Sequence, residues 1–448
     1  MKFSQTKPKK KLHMVSLGCT KNLVDSEVML GKLSDYELSD DVQNADLIIV
    51  NTCGFIDSAK QESINTLLTL HEDRKKESVL VMAGCLSERY KDELQAELKE
   101  IDIFTGVGDY DKIDKLVNEK RSSFSNEVFL ANENNDRVIT GSNYHAYVKL
   151  SEGCNQTCSF CAIPSFKGKL HSRTLQSLVK ELKHLVAKGY KDFSFVSQDS
   201  SSFLRDLKID NGLELLIDEV EKIDGIKSAR ILYLYPSTTN FSLIDKIANS
   251  KVFENYFDMP LQHISQNVLK IMKRGKGAEK LKELLNYMKA VPNAFIRTTF
   301  IAGHPGESED DFKELCEFVK EFGFDRANVF SYSDEEGTAS EQMKDKIASK
   351  TIDKRAEILG DIISKTTEKS LQNELNKEFF VYVDGVSDEH EYLLSARKTS
   401  WAVDIDGEIL INDNELDEKV VFGDIYKVRA TELAGDKILA TIIGKWKI

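Results

Sequence analysis

The chain has 448 residues, 41% of them apolar, which is enough to build the cores of about two to four domains. Its 61 basic and 74 acidic side chains give a formal net charge of −13, which argues against a broad nucleic-acid-coating surface and allows a basic partner. No apolar run of about eighteen residues occurs, so we expect no membrane span and a cytoplasmic location.

The first 130 residues alternate short apolar runs with segments of helical length and spacing. This alternation is typical of βαβ units and predicts an α/β domain with a parallel sheet. The predicted strands are 12–17, 45–50, 78–83 and 101–107, and the predicted helices are 22–33, 57–75 and 110–120.

Each of the first three predicted strands is followed by a cysteine, namely Cys19, Cys53 and Cys85. The carboxyl ends of parallel strands lie along one edge of a sheet, where ligands bind, so we expect these thiols to converge. The alternative is that each cysteine is a small core residue, because free cysteine is often buried. A cluster-binding set of three thiols is the interpretation that we favour.

A second group of thiols, Cys154, Cys158 and Cys161, lies within eight residues of a loop-like segment. Seven cysteines in an intracellular chain favour metal binding over disulfides. Structural zinc usually has four protein ligands, and here only His171 or His145 could supply a fourth. Three thiolates suit an iron–sulfur cluster with one open iron, which we favour over zinc.

Six further strand–helix units follow the polar linker at 132–143, and they predict an incomplete (β/α) barrel with the cysteine loop after its first strand. The predicted strands are 145–150, 192–197, 229–235, 256–262, 295–303 and 327–333, and the helices are 174–188, 212–223, 240–248, 277–290 and 307–322.

From residue 378 the pattern changes to five short alternating strands, which predict a small antiparallel β-barrel of the oligonucleotide-binding kind. Residues 376–448 carry fifteen acidic and nine basic side chains, a net charge of −6. This sign suits a basic protein better than a phosphate backbone. Acidic loops that are merely solvated are the alternative.

The Cys154-x3-Cys158-x2-Cys161 loop, with Phe160 before its last cysteine, resembles the signature of radical S-adenosylmethionine enzymes. The resemblance implies a 4Fe-4S cluster on these thiols, with S-adenosylmethionine chelated at the open iron. It also implies that Phe160 packs near the adenine and that Ser197, Gln198 and Gly303 line the cofactor pocket. Arg297, on the fifth strand, is then a partner for the S-adenosylmethionine carboxylate.

The order of the three parts resembles the methylthiotransferase family over nearly the whole chain, with domains at 12–130, 141–375 and 376–448. The last corresponds to the family's TRAM domain. The segments SLGCTKNLVDSE, NTCGFIDSA, SQDSS and DMPLQH are similar to the RimO branch, which modifies an aspartate of the twelfth small-subunit ribosomal protein. Thr20 stands where that branch usually has proline, and His304, in the loop at 300–307, stands where Phe is commoner.

The resemblance implies two 4Fe-4S clusters, and S-adenosylmethionine as both radical source and methyl donor. A 5′-deoxyadenosyl radical would abstract hydrogen from the aspartate β-carbon, the cluster on Cys19, Cys53 and Cys85 would present sulfur, and both cysteine sets would face a common cavity. Such chemistry requires a cofactor, and the sequence identifies no protein general base.

The implied partners are the basic ribosomal protein, free or in its subunit, and an electron donor such as flavodoxin or ferredoxin. We expect no membrane partner, and nucleic-acid contact only on the assembled subunit. One alternative is a tRNA adenosine methylthiotransferase, disfavoured by the acidic last barrel and by the residues around Cys19, Cys53 and Asp199. The other is a non-catalytic metal-cluster module that binds RNA.

Overall fold

The computed structural model of the chain describes residues 9–275 and 277–446, so residues 447 and 448 of the last predicted domain lie outside it. The N-terminal part is a parallel sheet with flanking helices. Its elements are β1 (Lys10–Ser16), α1 (Thr20–Lys32), β2 (Tyr36–Leu38), β3 (Leu47–Thr52), α2 (Asp57–Asp73), β4 (Val79–Gly84), α3 (Cys85–Arg89), α4 (Lys91–Glu97), β5 (Ile103–Phe104) and α5 (Ile113–Glu119).

The sheet order is β2-β1-β3-β4-β5, and every pair is parallel. The central strand β3 is buried along its whole length, as its apolar sequence predicts for a strand covered on both faces. The predicted parallel α/β domain is therefore confirmed. The edge strand β2 was not predicted, because its three residues contain no apolar run.

The central part alternates strands and helices, and a single long helix ends it. Its elements are β6 (His145–Lys149), β7 (Ser151–Glu152), α6 (Ile163–Lys167), β8 (His171–Ser172), α7 (Leu175–Ala187), β9 (Asp192–Val196), α8 (Gly212–Val220), β10 (Ser228–Ile231), α9 (Phe241–Ala248), β11 (Tyr256–Asp258), α10 (Gln266–Ile271), α11 (Ala278–Lys289), β12 (Phe295–Ala302), α12 (Glu309–Phe322), β13 (Arg326–Ser331) and α13 (Ser349–Gln372).

Six parallel strands of this part form the predicted incomplete barrel. Strands β6, β9 and β10 pair in one sheet, and β11, β12 and β13 pair in another. A backbone hydrogen bond of 2.8 Å from Leu234 to Asp258 connects the two sheets. Along β12 buried residues alternate with half-buried ones, because one face packs against the outer helices and the other faces the lumen.

The C-terminal part is a closed barrel with strand order β14-β15-β16-β18-β17. Its strands are β14 (Glu378–Val386), β15 (Leu394–Lys398), β16 (Ile409–Asn414), β17 (Ile425–Ala434) and β18 (Lys437–Lys445). The predicted barrel is confirmed, but β16 and β18 pair in parallel while the other pairs are antiparallel. A closed ring with an odd number of strands cannot alternate direction everywhere, so at least one parallel pair is required.

The last barrel covers the amino-terminal ends of the central strands. Asp192, at the start of β9, accepts hydrogen bonds from Arg230 at 2.6 Å and from Arg397 of β15 at 2.7 Å, and all three side chains are buried. Trp401 packs beside Phe295, with ring centroids 6.2 Å apart. Within the described ranges, no helix combines the length and apolar character that crossing a membrane requires.

We predict that Arg397→Met loosens this interface. The change leaves the buried Asp192 carboxylate with one cationic partner fewer, and breaking a buried ion pair costs about 3–5 kcal/mol in the free energy of unfolding. Urea unfolding followed by the fluorescence of the buried Trp401 measures the loss. The exposed Arg429, which is 3.4 Å from Glu415, provides the matched control, and Arg429→Met should change the free energy by less than about 0.5 kcal/mol. Equal losses in the free energy of unfolding for Arg397→Met and Arg429→Met would contradict a stabilising role of Arg397 at this interface.

Candidate metal centre between the first two domains

The structure brings Cys19, Cys53 and Cys85 together at the carboxyl edge of the N-terminal sheet. Cys19 precedes α1, Cys53 follows β3, and Cys85 begins α3. Gly18 has a φ of +84°, and a Cβ added to it would lie 2.9 Å from the Cys53 sulfur. Only glycine therefore lets the loop before α1 approach Cys53 so closely.

Asn22 fixes this group from the first turn of α1. Its side-chain amide donates to the carbonyls of Leu17 and Thr52, each at 3.1 Å. Its carbonyl oxygen accepts from the Cys85 thiol at 3.7 Å. Asn22 thus connects the strand ends that carry the three cysteines.

The second group of thiols lies on the loop between β7 and α6. The Cys154 amide donates to the Gly168 carbonyl at 3.1 Å, and the Cys161 amide donates to the Cys158 carbonyl at 3.2 Å. Gln156, within the loop, donates to Asp199 at 2.8 Å. The loop is therefore held by its own backbone and by the polar segment that follows β9.

Burial favours the neutral form of most of these thiols. Loss of solvation raises the pKa of Cys53 and Cys154 to about 11 and that of Cys85 and Cys161 to about 12. A thiolate, not a thiol, binds iron. Iron binding at these thiols would therefore release protons, and positive charge nearby favours the deprotonated form.

Arg274 supplies positive charge to the loop set. Its guanidinium donates to the Cys158 sulfur at 3.4 Å and stacks over the Tyr235 ring, 4.2 Å from the centroid. The Tyr235 hydroxyl lies 3.5 Å from the same sulfur. Arg274 is nine-tenths buried, so its charge acts on Cys158 with little solvent screening.

Lys167 occupies the corresponding position beside the N-terminal set. Its ammonium interacts electrostatically with Cys85, and it lies 3.6 Å from both Asp25 and Glu152. This buried nitrogen has no hydrogen-bond partner among the described residues. Because Lys167 ends α6, just after the loop cysteines, it connects the two groups of thiols.

Lys149 completes a buried ion network with the same carboxylates. Its ammonium donates to Asp25 at 2.6 Å and to Glu152 at 2.7 Å. Burial alone would raise the pKa of Glu152, but Lys149 and Lys167 outweigh it and lower that pKa to about 2. Asp25 belongs to α1 and Glu152 precedes Cys154 by two residues, so the network spans both domains.

The arrangement of donors suits a cluster better than a single ion. In the part of the chain that the structure describes, no three His, Cys, Asp or Glu side chains are arranged to hold one metal ion. A four-iron cube spreads its thiolate ligands farther apart than one zinc ion does, and it accepts three protein thiolates. Each group of cysteines offers three free thiols to such a cube, and each has a buried cation beside it.

Three predicted cofactor-pocket residues lie around the loop thiols. Phe160 packs edge-on against His304, with centroids 6.3 Å apart. Ser197 is buried and hydrogen-bonded to Ser200 at 3.1 Å, and Gln198 donates to Glu152. The Gln198 carbonyl oxygen is buried without a partner in the described structure, so it has capacity for a ligand. Their cofactor role stays a prediction.

The other two predicted pocket residues have protein partners of their own. Gly303 has a φ of +85° and its amide donates to Glu307 at 3.0 Å. Arg297 lies 3.2 Å from Asp258 and 3.5 Å from Asp406, which belongs to the last barrel. The Arg297 charge is thus already balanced, and its binding of a carboxylate stays a prediction.

The sequence analysis missed the cations Lys149, Lys167 and Arg274. Lys149 carried a usable signal, since it is a charged residue at the end of an otherwise apolar strand. Lys167 and Arg274 lie in polar segments that look like ordinary turns, and nothing local marks them.

Comparisons with known proteins give the family. Three family models match: the Uncharacterized protein family UPF0004 at residues 11–106, the Radical SAM superfamily at 148–319 and the TRAM domain at 377–443. The chain is 77% identical to the ribosomal protein uS12 methylthiotransferase RimO of Aliarcobacter butzleri over 445 residues, which cover 99% of this chain and 100% of that protein. The protein of the same name from Sulfurimonas denitrificans is 63% identical over 96% of this chain and 98% of its own.

The chain belongs to the RimO family of methylthiotransferases. The branch predicted from the sequence is therefore confirmed. Among solved structures, the radical S-adenosylmethionine methyltransferase TsrM from Kitasatospora setae matches with a TM-score of 0.53 and 14% identity, covering 73% of this chain and 74% of that one. That likeness supports the fold. Membership of the radical SAM superfamily implies a 4Fe-4S cluster and S-adenosylmethionine for this RimO-family chain.

We predict that Arg274→Met weakens iron binding at the loop thiols. Residues that contact metal ligands typically contribute about ten- to hundredfold in metal affinity. Iron release to a chelator under anaerobic conditions should be faster in Arg274→Met by about that factor. Arg274→Lys keeps the positive charge and should therefore release iron more slowly than Arg274→Met does. The exposed neighbour Lys273 provides the control, and Lys273→Met should behave as the unaltered protein does. Equal release rates in Arg274→Met and the unaltered protein would exclude this role.

Proposed function

We propose that this RimO-family protein is a sulfur-group transferase that modifies ribosomal protein uS12 after its synthesis. The reaction replaces a β-carbon C–H bond of an aspartate by C–SCH3. It uses two 4Fe-4S clusters, one on Cys154, Cys158 and Cys161 and one on Cys19, Cys53 and Cys85. The near full-length identity to proteins named as uS12 methylthiotransferases supports the reaction.

The observation that carries the two-cluster proposal is the position of the cysteine groups on either side of one buried ion network. Lys167 interacts with Cys85 on one side and with Glu152, beside the Cys154 loop, on the other. Each group offers three thiols and leaves one iron of a cube open. Bound by these two groups of residues, the clusters would supply radical formation and sulfur delivery to the same substrate carbon.

The chain's own residues would hold and shield these groups. Bound there, the clusters and S-adenosylmethionine supply the one-electron chemistry that breaking an unactivated C–H bond requires. Asn22, Gln156 and Arg274 orient the thiol-bearing segments. Glu335, at the far side of the barrel, binds Arg89 at 2.6 Å and Lys60 at 3.2 Å and closes the first domain over the site.

The proposal includes the partners that such chemistry needs. The last barrel has a net charge of −6, which supports docking of a basic ribosomal protein, free or in its subunit. The proposed electron donor is a one-electron carrier such as flavodoxin or ferredoxin, which would supply the reducing electron to the site of the loop thiols. The reaction takes place in the cytoplasm, and RNA is contacted only when the substrate is the assembled subunit.

We predict that anaerobic reconstitution with iron and sulfide gives about eight irons per chain. Changing Cys154, Cys158 and Cys161 together to alanine should lower the count to about four and abolish cleavage of S-adenosylmethionine. Changing Cys19, Cys53 and Cys85 together should also lower it to about four while cleavage continues. Iron assay and chromatography of 5′-deoxyadenosine measure the two outcomes.

The control is Cys316→Ala, since this cysteine is half-buried on α12 and packs against the barrel core. It should leave the iron count unchanged. Four or fewer irons in the unaltered protein, or zinc in place of iron, would refute the two-cluster proposal.

We predict that the reconstituted protein, with reductant and S-adenosylmethionine, adds one methylthio group in place of one hydrogen of uS12. Mass spectrometry of the digested substrate should locate the group on an aspartate. Purified tRNA under the same conditions is the matched alternative substrate and should remain unmodified. If methylthioadenosine forms in the tRNA while uS12 stays unmodified, the protein is instead a tRNA adenosine methylthiotransferase.

A further inference from the structure

Among the positively charged side chains near the thiols, Lys21 differs from the others in its partners. Lys149 and Lys167 are balanced by Asp25 and Glu152, Arg274 contacts Cys158, and Arg297 is balanced by two carboxylates. Within the described ranges, Lys21 has no carboxylate within 4.0 Å of its ammonium. It is the second residue of α1, two positions after Cys19.

Tyr233 holds the Lys21 ammonium in place. The nitrogen lies 3.5 Å from the centroid of the Tyr233 ring, a close cation–π contact. Its electrostatic neighbours are Cys19 and Tyr233, followed by Glu152. Lys21 therefore belongs to the N-terminal domain but points to the segment after the third barrel strand, with Cys19 of one group of thiols and Glu152, two residues before Cys154, among its neighbours.

The backbone of Tyr233 is strained in a way that serves this contact. Its φ is +62°, a region that side chains other than glycine rarely adopt. The Tyr233 amide donates to Asp258 at 3.0 Å and its carbonyl accepts from Ser200 at 3.0 Å, so the neighbouring strands impose the conformation. Strain of this kind concentrates at ligand-binding positions.

We propose that Lys21 binds the carboxylate of the substrate aspartate and thereby presents its β-carbon between the two groups of thiols. The inference rests on the proposed function and adds the residue that recognises the acidic side chain. A preorganised ammonium with no carboxylate of the described chain within 4.0 Å is the complement of a buried anionic ligand. S-adenosylmethionine also carries a carboxylate, but Lys21 belongs to the N-terminal domain, two residues after Cys19, whereas the loop thiols that would hold that cofactor belong to the barrel.

The test compares two forms of purified uS12, one with its target aspartate and one with asparagine there, each binding to the full-length reconstituted protein. A charge-assisted hydrogen bond lost from a desolvated site corresponds to about a ten- to hundredfold change in affinity. The unaltered protein should bind the aspartate form more tightly by that factor. Lys21→Met should bind both forms alike, and its KM for uS12 should rise by the same factor.

Two controls separate recognition from folding. Lys21→Arg keeps the charge and should retain most of the preference for aspartate. Lys32→Met, at the exposed end of the same helix, should keep the full preference. General damage to the site would weaken both uS12 forms equally and leave their ratio unchanged.

Three results would overturn the inference. The first is an unchanged preference for aspartate in Lys21→Met. The second is a rise in the KM for S-adenosylmethionine instead of uS12, which would assign Lys21 to the cofactor carboxylate. The third is failure of the unaltered protein to modify uS12, which is seen before any variant is made and refutes the proposed function itself.

Discussion

The burial of Lys149 between Asp25 and Glu152 is the interaction on which the arrangement of the site depends. All three side chains are sealed from solvent, and the two carboxylates come from different domains. A buried charge without a partner is strongly unfavourable, so the first two domains can pack only in the one position that pairs these groups. Because Asp25 lies in α1 after Cys19, and Glu152 precedes Cys154, that position also fixes the two groups of thiols relative to each other. We interpret the network as a determinant of alignment, since buried ion pairs contribute little net stability.

The barrel is covered at both ends by different means. At the amino-terminal ends of its strands, Asp192 pairs with Arg230 and with Arg397 of the last barrel. At the opposite ends, the N-terminal domain lies over the cysteine loop, where Arg89 pairs with Glu335. Covering both ends of a barrel limits the access of water to its interior, and it strengthens the electrostatic interactions inside.

The strands, the three-part organisation and the family could be predicted from the sequence, because each follows from local sequence patterns. The convergence of Cys19, Cys53 and Cys85 could also be predicted, since parallel topology places strand ends together. The ion network was not, because Lys149 and Asp25 are 124 residues apart and neither has a local partner. Arg297 illustrates the same limit. Its position on the fifth strand was predicted correctly, but its partner Asp406 comes from the third domain, and no local pattern announces that contact.

The distribution of charge reconciles an acidic protein with an acidic target side chain. The long-range field of a chain with a net charge of −13 attracts a basic ribosomal protein, and this attraction weakens beyond about 8–10 Å at physiological salt. Around the buried thiols that field matters less than individual charged neighbours in a medium of low dielectric constant. There the cations Lys167 and Arg274 stand beside thiols, and Lys21 remains for an incoming carboxylate. The acidic protein can thus attract a basic substrate as a whole and still bind its one acidic side chain through a cation, because the two interactions act over different distances.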